Sequence, residues 1–351
     1  MSQANAEAER PERIAVIGAG SWGTTFAKVL ADSAAERGVT DPDIVLWARR
    51  AEVADAITGQ HRNPDYLPDI SLPETLTATT SLEDAVSGAG VVVVAIPAQE
   101  VRGHLPAIRA QLDPTAVVVS LVKGLERGTD ARMSELCAEE LGLAAGRFAV
   151  VSGPNLAMEI AREEPTATVV ASTEPATAEW IAVRTAGPYF RPYTNTDVTG
   201  VEICGVVKNV IALAVGICDG LGFGDNSKAS VITRGLAETT RLSVRLGGQA
   251  ETLAGLAGLG DLVATCASPL SRNRTAGRHL GQGLSVERTT SELKQTAEGM
   301  KSVSAVVDLA RRHGVEMPIC EAMNAVITGT LDVDTLAGLL LARDLKPEGQ
   351  P

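Results

Sequence analysis

The segment RIAVIGAGSWGTTFAKVLA, residues 13–31, places a glycine-rich turn between an apolar strand and a helix. In this setting Gly18 permits a tight turn, Gly20 lets a phosphate group approach the backbone, and Gly23 lets the helix pack closely on the strand. The N-terminus of the helix adds free N–H groups and a partial positive charge. The motif therefore favours a dinucleotide-binding site on an open α/β sheet. The alternative is a glycine turn that binds no ligand.

Short apolar runs alternate with helix-like segments from this turn to about residue 200. Continuous runs of Val and Ile, such as VVVVAI at 91–96, are typical of strands covered on both faces, as in parallel sheets. The alternation predicts a doubly wound α/β domain. The predicted strands are residues 13–17, 44–47, 91–96, 116–121, 148–151, 167–171 and 189–193.

The sequence changes in character at about Gly200, where strand signals end and long helical patterns separated by glycines begin. A chain of 351 residues is also too long for one typical domain. We therefore predict a disordered N-terminal arm at residues 1–12, a Rossmann-like NAD(P)-binding α/β domain at 13–200 and an all-helical domain at 201–345.

Composition excludes several classes of function. The chain carries 43 acidic and 31 basic residues, a net charge of −12, which argues against a nucleic-acid or anionic-membrane surface. The five cysteines are scattered without a CxxC pair, which predicts reduced thiols in the cytoplasm, with no disulfide framework and no metal. The N-terminal segment MSQANAEAERPE lacks the apolar core of a signal peptide. No apolar run approaches the roughly 20 residues of a membrane span, so we expect no membrane insertion.

The end of the second predicted strand, IVLWARR at 44–50, bears on the choice of cofactor. NAD-binding folds usually place an acidic residue after this strand to bind the ribose hydroxyls, whereas NADP binders place an arginine nearby. Here Arg49 and Arg50 follow the strand, and a guanidinium can pair bidentately with a 2′-phosphate. We therefore predict NADPH as the cofactor, with NADH also accepted. The alternative is that both arginines are solvated surface charges.

A lysine in the middle of an apolar helix is the most unusual feature of the second domain. The segment GVVKNVIALAVGICDGLGFGDN, residues 205–226, places Lys208 among valines, and burying a lysine is costly unless something is gained. Burial lowers a lysine pKa and a nearby carboxylate raises it, so such a lysine can donate a proton near neutral pH. Asp219 shares the helix face of Lys208. The alternatives are a structural Lys–Asp ion pair or a lysine that extends to solvent.

Two turns that follow predicted strands also carry polar residues. Lys123 in VVVSLVKGLERG and the segment SGPN at 152–155 each come directly after a buried strand. The carboxyl edge of the sheet, where both would lie, is the place at which open α/β folds bind ligands. Each could equally be an ordinary strand–helix turn.

A third stretch, SRNR at 271–274, combines features of an anion site. Ser271 can cap a helix whose first turn holds Arg272 and Asn273, and the hydroxyl, free amides and guanidinium together suit a phosphate. Upstream, Asp261 and Thr265 lie one turn apart on a common helix face. The alternative is a basic, solvated helix start.

Seven motifs occur along the chain in a characteristic order: GAGSWGT, LVKGLE, SGPNLAMEIA, GVVKNVIALAVGICDGLGFGDN, GLAGLGDLVATC, SRNR and GVEMPI. In this order they resemble the soluble, bacterial NAD(P)-dependent glycerol-3-phosphate dehydrogenase family. The resemblance covers roughly residues 13 to 343. It implies a fold of the 6-phosphogluconate-dehydrogenase type, in which a Rossmann-like domain precedes an all-α domain.

The resemblance also implies roles for individual residues, with Lys208 as the catalytic acid/base. The implied substrate contacts are Lys123, Gly153, Asn155, Lys208, Asp261, Ser271, Arg272 and Asn273. Together with the glycine motif, the implied cofactor contacts are Gly18, Gly20, Ser21, Trp22, Gly23, Arg49, Arg50, Lys123, Ala157, Arg272, Thr296 and Glu298. At Asn155 relatives often have Thr or Ser, and at Thr296 often Val or Leu, which suggests a backbone contact at the latter.

The reaction implied is the reversible reduction of dihydroxyacetone phosphate to sn-glycerol 3-phosphate, in a homodimer that supplies phospholipid synthesis. One alternative is a related two-domain dehydrogenase acting on a hydroxy acid or a sugar acid, which would not need SRNR. Another is a non-catalytic NADPH-binding sensor, which would have no reason to bury Lys208.

Overall fold

The computed structural model describes residues 12–144, 146–293, 297–333 and 335–336. The predicted N-terminal arm lies outside these residues except for its last position, and so does Thr296. Within these residues the first domain contains ten strands. They are β1 (Ile14–Ile17), β2 (Ile44–Trp47), β3 (Arg62–Asn63), β4 (Leu67–Ser71), β5 (Leu76–Thr79), β6 (Val91–Val94), β7 (Val117–Ser120), β8 (Phe148–Ser152), β9 (Thr166–Ala171) and β10 (Phe190–Asn195).

Eight of these strands form one sheet in the order β10-β9-β8-β7-β6-β1-β2-β5, and β3 and β4 form a separate antiparallel hairpin. All neighbouring strands of the large sheet are parallel except β8 and β9, which pair antiparallel. The seven predicted strands are all present, with ends that differ by at most two residues. The hairpin, the edge strand β5 and the one antiparallel pairing were not predicted from the sequence.

Helices cover both faces of the sheet. They are α1 (Ser21–Glu36), α2 (Ala51–Gln60), α3 (Leu82–Val86), α4 (Ala98–Gln111), α5 (Met133–Leu141), α6 (Ala157–Ala161) and α7 (Pro175–Thr185). Along β6, Val91 and Val93 pack into one apolar core and Val92 and Val94 into another. Because successive side chains of a strand point to opposite faces, these two cores lie on the two sides of the sheet. This is why the central strands read as unbroken valine runs.

The second domain is helical throughout its described residues. Its helices are α8 (Val198–Gly220), α9 (Asp225–Arg245), α10 (Ala250–Ala254), α11 (Asp261–Ala267), α12 (Arg272–Gly281), α13 (Val286–Glu292), α14 (Glu298–Arg312) and α15 (Pro318–Ile327), with a π-helical turn at Leu256–Gly260. The predicted fold class, a Rossmann-like α/β domain followed by an all-α domain, is confirmed. The predicted boundary between residues 200 and 201 falls in the first turn of α8, whose N-cap is Asp197.

Helix α8 is the centre of this domain. Among the described helices it alone is long and apolar enough to cross a membrane, so the expectation that no apolar run approaches that length is wrong. The whole of this apolar stretch is nevertheless buried inside the protein, as in the core helix of a soluble protein. Helices α9, α12 and α14 pack around it. Polar side chains on such a helix can therefore face only other protein groups or an internal site.

Helices α8 and α12 cross with their backbones in contact. A Cβ atom added to Gly216 of α8 would lie 2.1 Å from the carbonyl oxygen of Arg274, and one added to Gly277 of α12 would lie 2.0 Å from that of Leu213. Neither position can therefore carry a side chain without moving a helix. The crossing holds the start of α12 against the helix that carries Lys208.

Candidate active site

Two lysines share one buried carboxylate between the domains. The Lys208 Nζ donates hydrogen bonds to Oδ1 of Asp261 at 2.5 Å and to Oγ1 of Thr265 at 2.6 Å. The Lys123 Nζ donates to Oδ2 of the same Asp261 at 2.6 Å and to the carbonyl oxygen of Gly153 at 3.0 Å. Asp261 is 1% exposed and Lys208 is 8% exposed. The structure thus brings together four of the predicted substrate contacts.

These residues come from four separate elements. Lys208 lies in the middle of α8, and Asp261 and Thr265 lie one turn apart on α11, as their spacing predicts. Lys123 and Gly153 follow the carboxyl ends of β7 and β8, which are neighbours in the sheet. The π-helical turn before α11 ends at Gly260, so Asp261 is the first residue of the regular helix. Such π turns are frequent at functional sites.

Burial lowers the pKa of Lys208 to about 8, with Asp261 acting to raise it and Lys123 to lower it. A lysine in this state is mostly protonated at pH 7 and can still release its proton close to neutral pH. The desolvation cost is partly offset by the carboxylate that both lysines share.

The carboxylate beside Lys208 is Asp261 and not Asp219. Asp219 bonds to Arg274 at 2.9 Å and lies 3.7 Å from Lys228. It does share a helix face with Lys208, but eleven residues of helix separate the two by about 16 Å along the axis. The pairing suggested by the helix face is therefore wrong, because a partner across the domain is closer than one three turns away.

Asn209 joins the lysine pair to the start of α12. Its Nδ2 donates to the carbonyl oxygens of Lys123 at 3.3 Å and Gly205 at 3.2 Å, and its Oδ1 accepts from Asn273 Nδ2 at 2.9 Å. The Oδ1 of Asn273 accepts in turn from the N–H of Gly299 at 2.9 Å. Asn209 was given no role from the sequence. Its position beside Lys208 in an apolar helix was the only available signal.

The start of α12 has the form of an anion site. Ser271 caps the helix, its Oγ accepting from the N–H of Arg274 at 3.2 Å, as predicted. The N–H groups in the first turn of a helix lack partners within the helix and can bind an anion. Because the side chain of Asn273 is engaged at both ends, its backbone N–H is the part best suited to a phosphate. Arg272 is the exposed cation of this turn.

The SGPN turn presents polar atoms with no partner among the described residues. Both the Nδ2 and the Oδ1 of Asn155 are buried and unpaired, and so is the hydroxyl of Ser152. Buried polar groups are nearly always hydrogen-bonded, so an amide with both ends available is suited to a polar ligand. Asn155 therefore fits the substrate contact predicted for it.

The glycine turn fits a dinucleotide. Gly18 has a φ of 120°, which disfavours residues with a side chain. A Cβ on Gly23 would lie 1.9 Å from the carbonyl oxygen of Gly18, whereas one on Gly20 would meet nothing within 4 Å. The turn is therefore closed against the helix and open at Gly20, the residue at which a pyrophosphate would approach the backbone.

The other predicted cofactor contacts surround this turn and the lysine pair. Ser21 begins α1 and donates to the carbonyl oxygen of Tyr66 at 3.4 Å, and Ala157 begins α6. The ring of Trp22 packs edge-on against Phe26, but its Nε1 is buried without a described partner. The Oε2 of Glu298 is likewise buried and unpaired, and burial raises the pKa of this carboxyl. These unpaired atoms are suited to a polar ligand.

Arg49 and Arg50 lie on the surface directly after β2. Arg49 is 3.9 Å from Glu100, and Arg50 is salt-bridged to Asp65. All four side chains are exposed. Both arginines are thus accessible at the end of the strand where a dinucleotide places its adenosine ribose. In the part of the chain described, no cluster of three or more His, Cys, Asp or Glu side chains is arranged to hold a metal ion.

Comparison with known proteins gives the same assignment in both domains. Residues 13–178 match the N-terminal model of NAD-dependent glycerol-3-phosphate dehydrogenase, and residues 197–337 match the C-terminal model. The chain is 56% identical over 336 residues to glycerol-3-phosphate dehydrogenase (NAD(P)+) of Thermobifida fusca, covering 96% of this chain and 98% of that protein. The enzyme of the same name from Streptomyces griseus is 52% identical over 338 residues, with coverage of 96% and 98%.

A solved structure agrees with the sequence relatives. The crystal structure of glycerol-3-phosphate dehydrogenase from Coxiella burnetii superposes with a TM-score of 0.88 at 38% identity, covering 95% of this chain and 99% of that one. The family predicted from the order of the motifs is confirmed by the matches of both domains, by the sequence relatives and by the fold. The chain belongs to the NAD-dependent glycerol-3-phosphate dehydrogenase family.

Proposed function

We propose that this chain catalyses the reversible NAD(P)H-dependent reduction of dihydroxyacetone phosphate to sn-glycerol 3-phosphate, with Lys208 as the acid/base. The main evidence for this proposal is the Lys208–Asp261–Lys123 cluster, in which two ammonium groups contact one carboxylate at the carboxyl edge of the sheet. Its neighbours are an anion-binding helix start and an amide turn with unpaired atoms.

The nicotinamide nucleotide, when bound, supplies the hydride. The chain's own residues bind the substrate and stabilise the negative charge that develops on its carbonyl oxygen. The start of α12, with Arg272 and the first-turn amides, binds the phosphate, and this remote binding energy positions the carbonyl. As the carbonyl oxygen becomes negative, the Lys208 ammonium stabilises it and then donates its proton. Asp261 holds Lys208 in place, and Lys123 adds positive potential.

The residues of the glycine turn would hold the diphosphate of the cofactor, with Gly20 open toward it. Lys123, Ala157, Arg272 and Glu298 would complete the cofactor contacts near the reacting end. Trp22 would contribute through its unpaired Nε1 and Ser21 through its position at the start of α1.

The direct test mixes the purified chain with NADPH or NADH and dihydroxyacetone phosphate and follows the absorbance of the reduced nucleotide. Consumption of nucleotide together with formation of sn-glycerol 3-phosphate is expected. Turnover of 3-hydroxy acids or sugar acids, but not of this pair, would favour the related dehydrogenase instead. Tight NADPH binding with no turnover of any of these would favour the sensor.

Arg272→Ala is expected to raise the KM for dihydroxyacetone phosphate about tenfold to hundredfold, because a charged hydrogen bond to the phosphate is lost. The KM for unphosphorylated dihydroxyacetone should change much less. Steady-state kinetics with both substrates measures this. Arg274→Ala is the matched control: Arg274 lies in the same turn but bonds to Asp219 and to the Ala267 carbonyl oxygen. Equal losses in the two variants would contradict phosphate binding by Arg272.

Arg49→Ala combined with Arg50→Ala is expected to raise the KM for NADPH about tenfold or more and that for NADH only slightly. The reason is that only NADPH carries the 2′-phosphate that a guanidinium can bind. Initial rates over a range of each nucleotide measure the two constants. Equal increases for both would mean that these arginines do not contact the 2′-phosphate.

We also propose that the enzyme acts in the cytoplasm as a homodimer and supplies glycerol 3-phosphate for phospholipid synthesis. All five cysteines are free and buried, which suits a reducing compartment. The dimer and the metabolic role follow from the family resemblance. Light scattering of the purified chain would give a mass of about 73 kDa for a dimer of the 36.4 kDa chain, and a mass of one chain would contradict it.

A further inference from the structure

A buried asparagine outside the predicted site contacts the glycine turn. Asn63 lies on β3 and is 0% exposed. Its Nδ2 donates two hydrogen bonds of 2.9 Å, one to the carbonyl oxygen of Ala19 and one to the hydroxyl of Thr24. Ala19 stands between the first two glycines of the motif, and Thr24 lies in the first turn of α1. One amide group therefore connects the two sides of the turn.

The orientation of this amide is fixed by chemistry. A backbone carbonyl oxygen can only accept, so the Nδ2 of Asn63 must face Ala19. Both Nδ2 protons are then used, and the Oδ1 is left buried with no hydrogen-bond partner among the described residues. Leaving a buried acceptor unpaired opposes folding. The Nδ2 group pairs with two polar atoms of the glycine turn while the Oδ1 of the same side chain stays unpaired, which indicates a role in shaping the turn.

Peptide geometry connects this contact to the cofactor site. The carbonyl of Ala19 and the N–H of Gly20 belong to one planar trans peptide and point in opposite directions. Fixing the carbonyl therefore fixes the direction of the Gly20 N–H. Gly20 is the open glycine of the turn, with nothing within 4 Å of an added Cβ. Backbone N–H groups at such a helix start are donors for phosphate groups.

We propose that Asn63 is a positioning residue for the cofactor: it orients the Ala19–Gly20 peptide so that the turn binds the diphosphate of the dinucleotide. The proposal rests on the proposed function only in requiring a nicotinamide dinucleotide. Since the diphosphate is common to NADH and NADPH, Asn63 affects the affinity for both by the same factor. This distinguishes it from Arg49 and Arg50.

The test uses Asn63→Asp, which keeps the shape of the side chain but places an oxygen against the Ala19 carbonyl. We expect the KM for NADH and for NADPH to rise by the same factor, about tenfold or more. The kcat at saturating nucleotide and the KM for dihydroxyacetone phosphate should stay within about twofold. Calorimetry should show an equal loss of affinity for ADP-ribose, which contains the diphosphate, and little change for adenosine, which has no phosphate.

Thr177→Val is the matched control for a purely structural effect. Thr177 is 2% exposed and donates to the Gly146 carbonyl oxygen at 2.7 Å, in the turn before β8 and not in the glycine turn. Thr177→Val should lower the Tm and leave the KM values for NADH and NADPH unchanged.

If Asn63→Asp does not fold, Asn63→Ala removes the donor without adding a charge and is judged by the same criteria. Unchanged affinity for ADP-ribose, or a loss confined to Tm, would overturn the proposal. Because ADP-ribose binding needs no turnover, a failure of the proposed reaction would be seen separately.

Discussion

Lys208→Met lowers the kcat for reduction of dihydroxyacetone phosphate by about 10²- to 10⁴-fold in our expectation, which is the usual contribution of a positioned general acid. Methionine keeps the apolar stem in the α8 core but removes the ammonium group that, in the proposed mechanism, stabilises and protonates the carbonyl oxygen. The affinity for NADPH should stay within about twofold, since the hydrogen bonds of the Lys208 ammonium go to Asp261 and Thr265. Single-turnover kinetics and nucleotide titration measure the two quantities.

A second buried lysine provides the control for this experiment. Lys28 on α1 is 5% exposed, and its Nζ bonds to Asp32 at 2.6 Å and to Glu163 at 2.8 Å. Lys28→Met should therefore lower the Tm, because it leaves two carboxylates without their counter-charge, while kcat is largely kept. If Lys208→Met kept its turnover, Lys208 would not be the acid, whatever its effect on stability.

Asp261→Asn is expected to shift the pH dependence of the reaction toward acid. Asp261 raises the pKa of Lys208, whereas burial and Lys123 lower it, so removing the carboxylate moves that pKa below about 8. In the proposed mechanism, reduction requires the ammonium form of Lys208, which predominates below the pKa of this residue. As the pH is raised, the rate of reduction should therefore begin to fall at a lower pH in Asp261→Asn than in the unmodified enzyme. On the alkaline side, each tenfold decrease in the proton affinity of Lys208 lowers the rate about tenfold. Oxidation of glycerol 3-phosphate needs the neutral amine and should rise with pH through the same range.

The measurement is kcat for reduction between about pH 5 and 9 at saturating substrates. Asp219→Asn is the matched control, because Asp219 lies on the same helix as Lys208 but pairs with Arg274. It should leave the alkaline limb of the profile in place. An unshifted profile in Asp261→Asn would show that the carboxylate does not set the protonation of Lys208.

The sequence predicted those features that depend on interactions between residues close together in the chain. Valine runs predicted the central strands because both faces of those strands are buried, and Lys208 stood out because an ammonium group among valines needs a reason. Ser271 was predicted as a cap because capping is decided within one turn. The antiparallel pairing of β8 and β9 was not predictable in this way, since a buried valine run is the same in either direction.

Contacts between distant segments were out of reach of such local reasoning. Asp261 and Thr265 were recognised as sharing a face, but 53 residues separate Asp261 from Lys208, and only the packing of α11 on α8 brings them together. Nothing in the sequence around Asn63 predicted a role for it. The segment HRNPDYLP has the composition of a loop, and the contact that gives Asn63 its role is with a turn 44 residues earlier.

The glycine crossing of α8 and α12 has a consequence for the spacing of the proposed site. Where main-chain atoms already touch, the distance between α8, which carries Lys208, and the first half of α12 stands at its van der Waals minimum. No replacement at Gly216 or Gly277 can shorten it, because every other residue is larger. Mutation at either glycine can therefore only move the two helices apart, and under the proposed function this would lengthen the distance between the proton donor and the phosphate site.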